Sequence, residues 1–149
     1  AERIIKAQPD LQRKFELLCS VKGIAETSAA RLLAELLMLP ADMDVRQWVA
    51  HAGLDPRPCS SGTSLNRPTR ISKAGNSYLR AILFMPAGVA AIHEPCVRAF
   101  YLHLVEDLGK AKLQARVAVM RKLLHAIFGM FKADQVFEGK KFYYPAEAA

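Results

Sequence analysis

ETSAARLLAELLML, residues 26–39, decides the fold. Alanine, leucine and glutamate are strong helix formers, the apolar positions recur at spacings of three and four, and Pro40 ends the run. The same period extends both ways. Upstream, residues 1–19 set Ile4, Ile5, Leu11, Phe15, Leu17 and Leu18 among charges, a helix that Pro9 breaks or kinks, followed by a turn over 20–25. Downstream, Asp44 caps a short helix whose Val45, Trp48, Val49 and Ala52 share a face. Asn76 or Ser77 caps a helix from 78 to 92 with Leu79, Ile82, Leu83, Val89 and Ile92 around much of its circumference, the expected central core helix, bent at Pro86. Residues 94–108 form another, ended by Gly109. The last long one, 112–132, has Leu113, Val117, Met120, Leu124, Ile127 and Phe131 at helical spacing. FEGKKFYYPAEAA, residues 137–149, has no core-building period and is expected to lie on the surface or fray. No repeat and no convincing strand pattern is present. The expectation is an all-α fold of five or six helices, including a helix-hairpin-helix-like pair, with one long basic Ser-Gly loop.

At 149 residues and 52% apolar content the chain suffices for one domain with a sizeable core, which argues against wholesale disorder. Its start lacks the apolar region of a signal peptide. Its most apolar run, 81–92, is interrupted by Pro86 and Gly88 and falls short of the roughly 20 residues that span a bilayer. A soluble, cytoplasmic protein without membrane association is expected. Cys19, Cys59 and Cys96 are odd in number and widely spaced, the pattern of neither a disulfide framework nor a zinc site. The net charge of +7 is unevenly spread: residues 1–55 hold seven Lys/Arg against eight Asp/Glu, residues 56–149 fourteen against six. Neither 56–93 nor 108–133 contains an acid. Such blocks suit a polyanion, because cations near phosphates release condensed counterions.

Two stretches carry candidate chemistry. In LLCSVKGIAETSAARLLAEL, residues 17–36, the turn around Lys22, Gly23 and Ile24 resembles a helix-hairpin-helix, which offers turn amides and a helix N-terminus to a phosphate. A plain helix corner is the competing reading, since Ala25 stands where a second glycine is usual and Glu26 lies beside the site. The second stretch is RPCSSGTSLNRPTRISKAGN, residues 57–76, with four cations, four serines and no acid. A structureless segment of that length is usually functional or disordered, and local disorder over 59–72 is expected without nucleic acid. Gly62 would let backbone approach a ligand, Arg57, Arg67, Arg70, Lys73 and Arg80 are candidates to position phosphates, and Thr63 and Asn76 are further candidate nucleic-acid contacts. A serine nucleophile needs an activating group that the loop lacks, and His51 is the nearest titratable neighbour. From residues alone this is a phosphate-binding loop. Cys59 is read as incidental, His93, His103 and His125 as structural or surface groups, and Tyr143 and Tyr144 as packing aromatics.

AGLDPRPCSSGTSLNRPTRISKAGNSYLRAIL, residues 52–83, resembles the signature of the C-terminal transposase domain of Piv/MooV-like DNA invertases and insertion-sequence transposases, the bridge recombinases. The matching positions are Ala52-Gly53-Leu54, Pro56, Ser61-Gly62, Ile71, Lys73, Gly75-Asn76, Leu79-Arg80 and Leu83. SVKGIAETSAARLLAEL before and AVMRKLLHAIF after are similar to that domain in the family's order, so the likeness covers 17–128. The resemblance implies a serine that attacks a DNA phosphodiester to form a phosphoserine link. Ser61 falls on that position, with Ser60 the adjacent alternative. It also implies a separate RuvC-like domain whose acids bind magnesium, a noncoding guide RNA, DNA as substrate and a homo-oligomer; no metal or cofactor is expected in this segment itself. Residues 1–16 are then expected to end a linker or coiled-coil helix, 17–133 to form the transposase domain and 134–149 a tail. A noncatalytic DNA-binding or oligomerisation module is the alternative.

Overall fold

The computed structural model of the chain describes residues 2–60 and 66–145, without the side chains of residues 2, 58–60 and 66–69. The helices are α1 (Glu2–Ala7), α2 (Pro9–Cys19), α3 (Glu26–Leu37), α4 (Val45–His51), α5 (Ser77–His93), α6 (Pro95–Leu102), α7 (Lys112–Ala133) and the single turn α8 (Gly139–Phe142). Among the described residues the fold is all-α apart from one antiparallel ribbon, β1 (Pro56–Ser60) and β2 (Asn66–Ile71), inserted between α4 and α5.

Local chemistry sets most boundaries. Gln8 is extended, as a residue before proline tends to be, and Pro9 opens α2, so the expected first helix is two. Asp44 and Gln47 exchange hydrogen bonds in a capping box at 2.8 Å each. Asn76 Oδ1 accepts from the amides of Tyr78 and Leu79 at 2.9 and 3.2 Å and starts α5. Pro95 begins α6, which passes into a π-helical turn, His103–Asp107, before Gly109 at φ 65° turns the chain toward α7.

The core lies around α5 and α7. Leu79, Leu83, Ala87 and Ala90 of the first and Val119, Leu123, Leu124 and Ile127 of the second are wholly buried, with Leu18, Leu32 and Leu33 packed against them. Trp48 of α4 meets Phe128 edge-on, ring centroids 5.0 Å apart. Burying a leucine of this kind contributes about 1.5–3 kcal/mol. Gly23, at φ 120°, ends the turn after α2 directly on the α5 backbone: a Cβ would lie 2.7 Å from the Ala90 amide nitrogen and 2.8 Å from the Pro86 carbonyl oxygen. α5 runs unbroken through Pro86. Arg116 of α7 covers that stretch, donating from Nε and Nη2 to the Phe84 carbonyl at 2.9 and 2.7 Å and lying 3.6 Å from the Phe84 ring centroid. Gly88 leaves space for this, since a Cβ there would meet Arg116 Nη2 at 2.5 Å.

Three sequence expectations need correction. Residues 56–60 and 66–71 pair as strands where a structureless loop was expected. A two-stranded ribbon exposes both faces and both edges, so it needs no apolar alternation and tolerates prolines. Second, residues 137–143 are part of the core, while 146–149 lie outside the described residues: Phe142 is buried, Phe137 packs beside it, and the Phe137 amide donates to Ser20 Oγ at 2.9 Å. Asp134, in the left-handed region at φ 52°, is held by Arg13 Nε at 2.9 Å and turns the chain back along α7. Third, Leu113 keeps helical spacing yet is exposed, because it precedes the point where α7 meets α5. Among the described residues no helix is long and apolar enough to cross a membrane.

Candidate nucleic-acid interface

The ribbon is fixed at its base by the residues that surround it in sequence. Gly53, at φ 69°, ends α4, and its carbonyl accepts from the Lys73 amide at 3.0 Å. One step outward, the Asp55 carbonyl accepts from the Ser72 amide at 2.9 Å, and Ser72 Oγ donates to the Asp55 carboxylate. The Asn76 amide donates to the His51 carbonyl at 2.6 Å, while Asn76 Nδ2 reaches Glu35 of α3 at 2.8 Å. Arg80 Nη1 closes the clasp, donating to the carbonyls of Ala52 at 3.0 Å and Gly75 at 3.4 Å. Nothing but hydrogen fits at Gly75: a Cβ would stand 1.9 Å from the His51 carbonyl oxygen and 2.5 Å from the Gly53 nitrogen. Two glycines, an asparagine and an arginine spread over 28 positions thus form one junction.

What projects from this junction is cationic. Arg57 and Arg70 are cross-strand partners, both exposed, although like charges directly opposite destabilise a ribbon. A register shift follows Arg57, and beyond it Cys59 pairs with Arg67 and Ser60 with Asn66. Lys73 is exposed and left-handed at φ 53°, a conformation that costs a non-glycine residue about 1–2 kcal/mol and that the Gly53 hydrogen bond enforces. Among the described residues none of these three cations has an ion-pair partner. An uncompensated cationic strand pair beside a strained lysine is an arrangement suited to phosphates.

The site residues named from sequence therefore separate. Arg57, Arg70 and Lys73 come together on the ribbon base; Ser60 and Arg67 are on its strands, and Ser61, Gly62 and Thr63 lie outside the described residues. Asn76 and Arg80 are occupied in the clasp. Lys22 is exposed, but Gly23 faces α5 and Ile24 is buried. That turn meets α5 around residues 86–90, about 18 Å along the helix from Asn76, so the structure does not gather the two stretches into one site. Glu35 and Asp55 were missed, and only Asp55, directly after Ala52-Gly53-Leu54, had a sequence signal. No three His, Cys, Asp or Glu among the described residues come together as a metal site.

Residues 15–102 match the family described as Transposase IS116/IS110/IS902. The chain is 28% identical over 136 residues to the pilin gene-inverting protein of Moraxella bovis, covering 91% of this chain and 42% of that one. It is 35% identical over 127 residues to a Sinorhizobium fredii protein with the provisional transposase name y4rJ, covering 83% and 32%. A 43.6 kDa protein of insertion element IS110 in Streptomyces coelicolor is 26% identical over 124 residues, 83% of this chain and 30% of its own length. The chain thus spans less than half the length of these relatives, and the family match takes in α3, α4, the whole ribbon and α5. The chain belongs to the IS116/IS110/IS902 transposase family.

Proposed function

We propose that this chain is the DNA-joining part of a serine-dependent DNA recombinase, with the ribbon as the arm that carries the nucleophile. One observation supports it most: Ala52, Gly53, Lys73, Gly75, Asn76 and Arg80 of the family signature meet in the clasp, at the base of the ribbon where Arg57 and Arg70 are paired, and Ser61-Gly62 directly follow its first strand in sequence. A junction so restrictive is needed where a hydroxyl must meet phosphorus within a fraction of an ångström. Ser61 Oγ, or Ser60 Oγ in its place, attacks phosphorus in line. The Oγ–P bond forms, the P–O bond to the leaving deoxyribose breaks, the serine proton is lost and the leaving oxygen gains one. The phosphoserine ester keeps the bond for rejoining. Arg57, Arg70 and Lys73, with Arg67, Gly62 and Thr63, orient the phosphate; Lys22 touches a more distant one through the helix-hairpin-helix-like turn. Asn76, Arg80 and Gly23 serve by position. Magnesium is assigned to a RuvC-like domain beyond this segment, and a guide RNA to selection of the DNA partners.

The exposed side chains of Tyr78, Met85 and Ile92, seven residues apart along α5, favour a second role as an oligomerisation surface. The nucleophile is tested by trapping the full-length protein on a suicide DNA substrate. An adduct on Ser61 or Ser60, lost in Ser61→Ala and Ser60→Ala together while binding persists, is the expected result. An adduct on any other residue refutes the assignment.

A further inference from the structure

The C-terminal segment encloses a groove of about 290 Å³ against the second half of α7. Its lining includes Ala126, Gly129 and Ala133 of α7, Phe137 and Phe142 of the C-terminal segment, and Lys122. Gly129 is unusual. It sits in the middle of a helix, where glycine costs stability relative to alanine, yet it is exposed and a Cβ would meet nothing within 4 Å. Gly23, Gly75 and Gly88 are explained by packing against the chain itself; Gly129 is not. A helical glycine open to a groove permits a flat group to lie on the helix backbone.

Charge narrows what that group is. α7 has no acid between Lys112 and Ala133. The one carboxylate among the groove's described lining residues, Glu138, is engaged by Lys141 at 3.1 Å, and Asp134 nearby is engaged by Arg13. Lys122 is held at the edge by the rings of Phe100, Phe142 and Tyr143, its ammonium 4.2, 5.2 and 5.4 Å from their centroids. At about 290 Å³ the groove is far larger than a single water requires and admits one planar heterocycle. Apolar walls with a cationic edge fit a ligand that is flat at one end and anionic at the other. We infer that this groove takes an unpaired nucleobase of single-stranded nucleic acid, the base lying over Gly129 and the adjoining phosphate at Lys122. The inference rests on the nucleic-acid reading above and adds a contact remote from the ribbon.

Fluorescence anisotropy with the 149-residue chain tests it, using a labelled single strand, the same strand with abasic sites, and the matching duplex. Gly129→Leu improves helix propensity and fills the groove. It is expected to weaken single-strand binding about tenfold, the worth of one stacked base, and to leave the duplex unaffected. The abasic strand should bind the unaltered protein as weakly as the intact strand binds the variant. Unchanged single-strand affinity, or an equal loss on duplex, overturns the base slot while leaving nucleic-acid binding standing. No binding of strand or duplex at low salt overturns both. If Gly129→Leu does not fold, by circular dichroism, a strand carrying 4-thiothymidine is photocrosslinked to the unaltered protein: adducts within α7 or the segment after it support the slot, and adducts confined to other segments overturn it.

Discussion

Gly75→Ala tests whether the clasp sets the ribbon. The added carbon would begin 1.9 Å from the His51 carbonyl oxygen, whereas a carbon and an oxygen in contact need roughly 3.3 Å, so the strand must retreat by about 1.4 Å. The neighbouring hydrogen bond from the Asn76 amide to that carbonyl, 2.6 Å long, then opens to about 4 Å and is lost. Lys73 to Gly53 and Arg80 to Gly75 share the same backbone and weaken with it. Two hydrogen bonds at about 0.5–1.5 kcal/mol each, plus overpacking at about 1–3 kcal/mol, give a destabilisation of about 2–6 kcal/mol. Urea unfolding followed by Trp48, on the helix that ends at His51, measures it. Strand exchange by the full-length protein should fall even under conditions where Gly75→Ala remains folded, because the ribbon base has moved. A variant within about 0.5 kcal/mol of the parent, the ordinary scatter of surface changes, would show that the clasp is not tight and refute the steric reasoning.

Arg57→Gln with Arg70→Gln removes a repelling cross-strand pair and should leave stability equal or slightly higher, while the slope of log affinity against log salt on duplex DNA drops by up to about 2; an unchanged slope would remove the ribbon base from the interface. Burial, then Arg121 and Lys122, lower the His125 pKa from its ordinary 6.5. The unfolded chain therefore binds the proton first as pH falls, and this histidine subtracts stability progressively below about pH 6.5. His125→Gln should flatten the fall in unfolding free energy between neutral pH and pH 5 relative to the parent, and parallel curves would refute it.

Local chemistry made much of this molecule legible. Asp44 and Asn76 cap where their side chains can reach amides two and three residues on, Pro40 and Gly109 terminate where backbone geometry requires it, and the leucines of 26–39 face inward at helical spacing. Each depends on residues within one or two turns, so sequence alone determined most of the helices and the all-α class. The string from Ala52 to Leu83 also carried the family, because its spaced positions are specific even before their contacts are known. Tertiary structure decided the rest. The ribbon has no apolar alternation to read: of its described side chains Pro56, Arg57 and Arg70 are exposed and Ile71 alone packs against the core. Phe137 and Phe142 look like a frayed tail until Ser20 and Phe100, distant in sequence, supply their partners. Glycine is mute in the same way: Gly23, Gly75 and Gly129 are one letter, and only the atoms around each separate a helix contact, a clasp and an open groove floor. Periodicity and capping are short-range and leave a trace in order along the chain, whereas close approach between segments is a property of space.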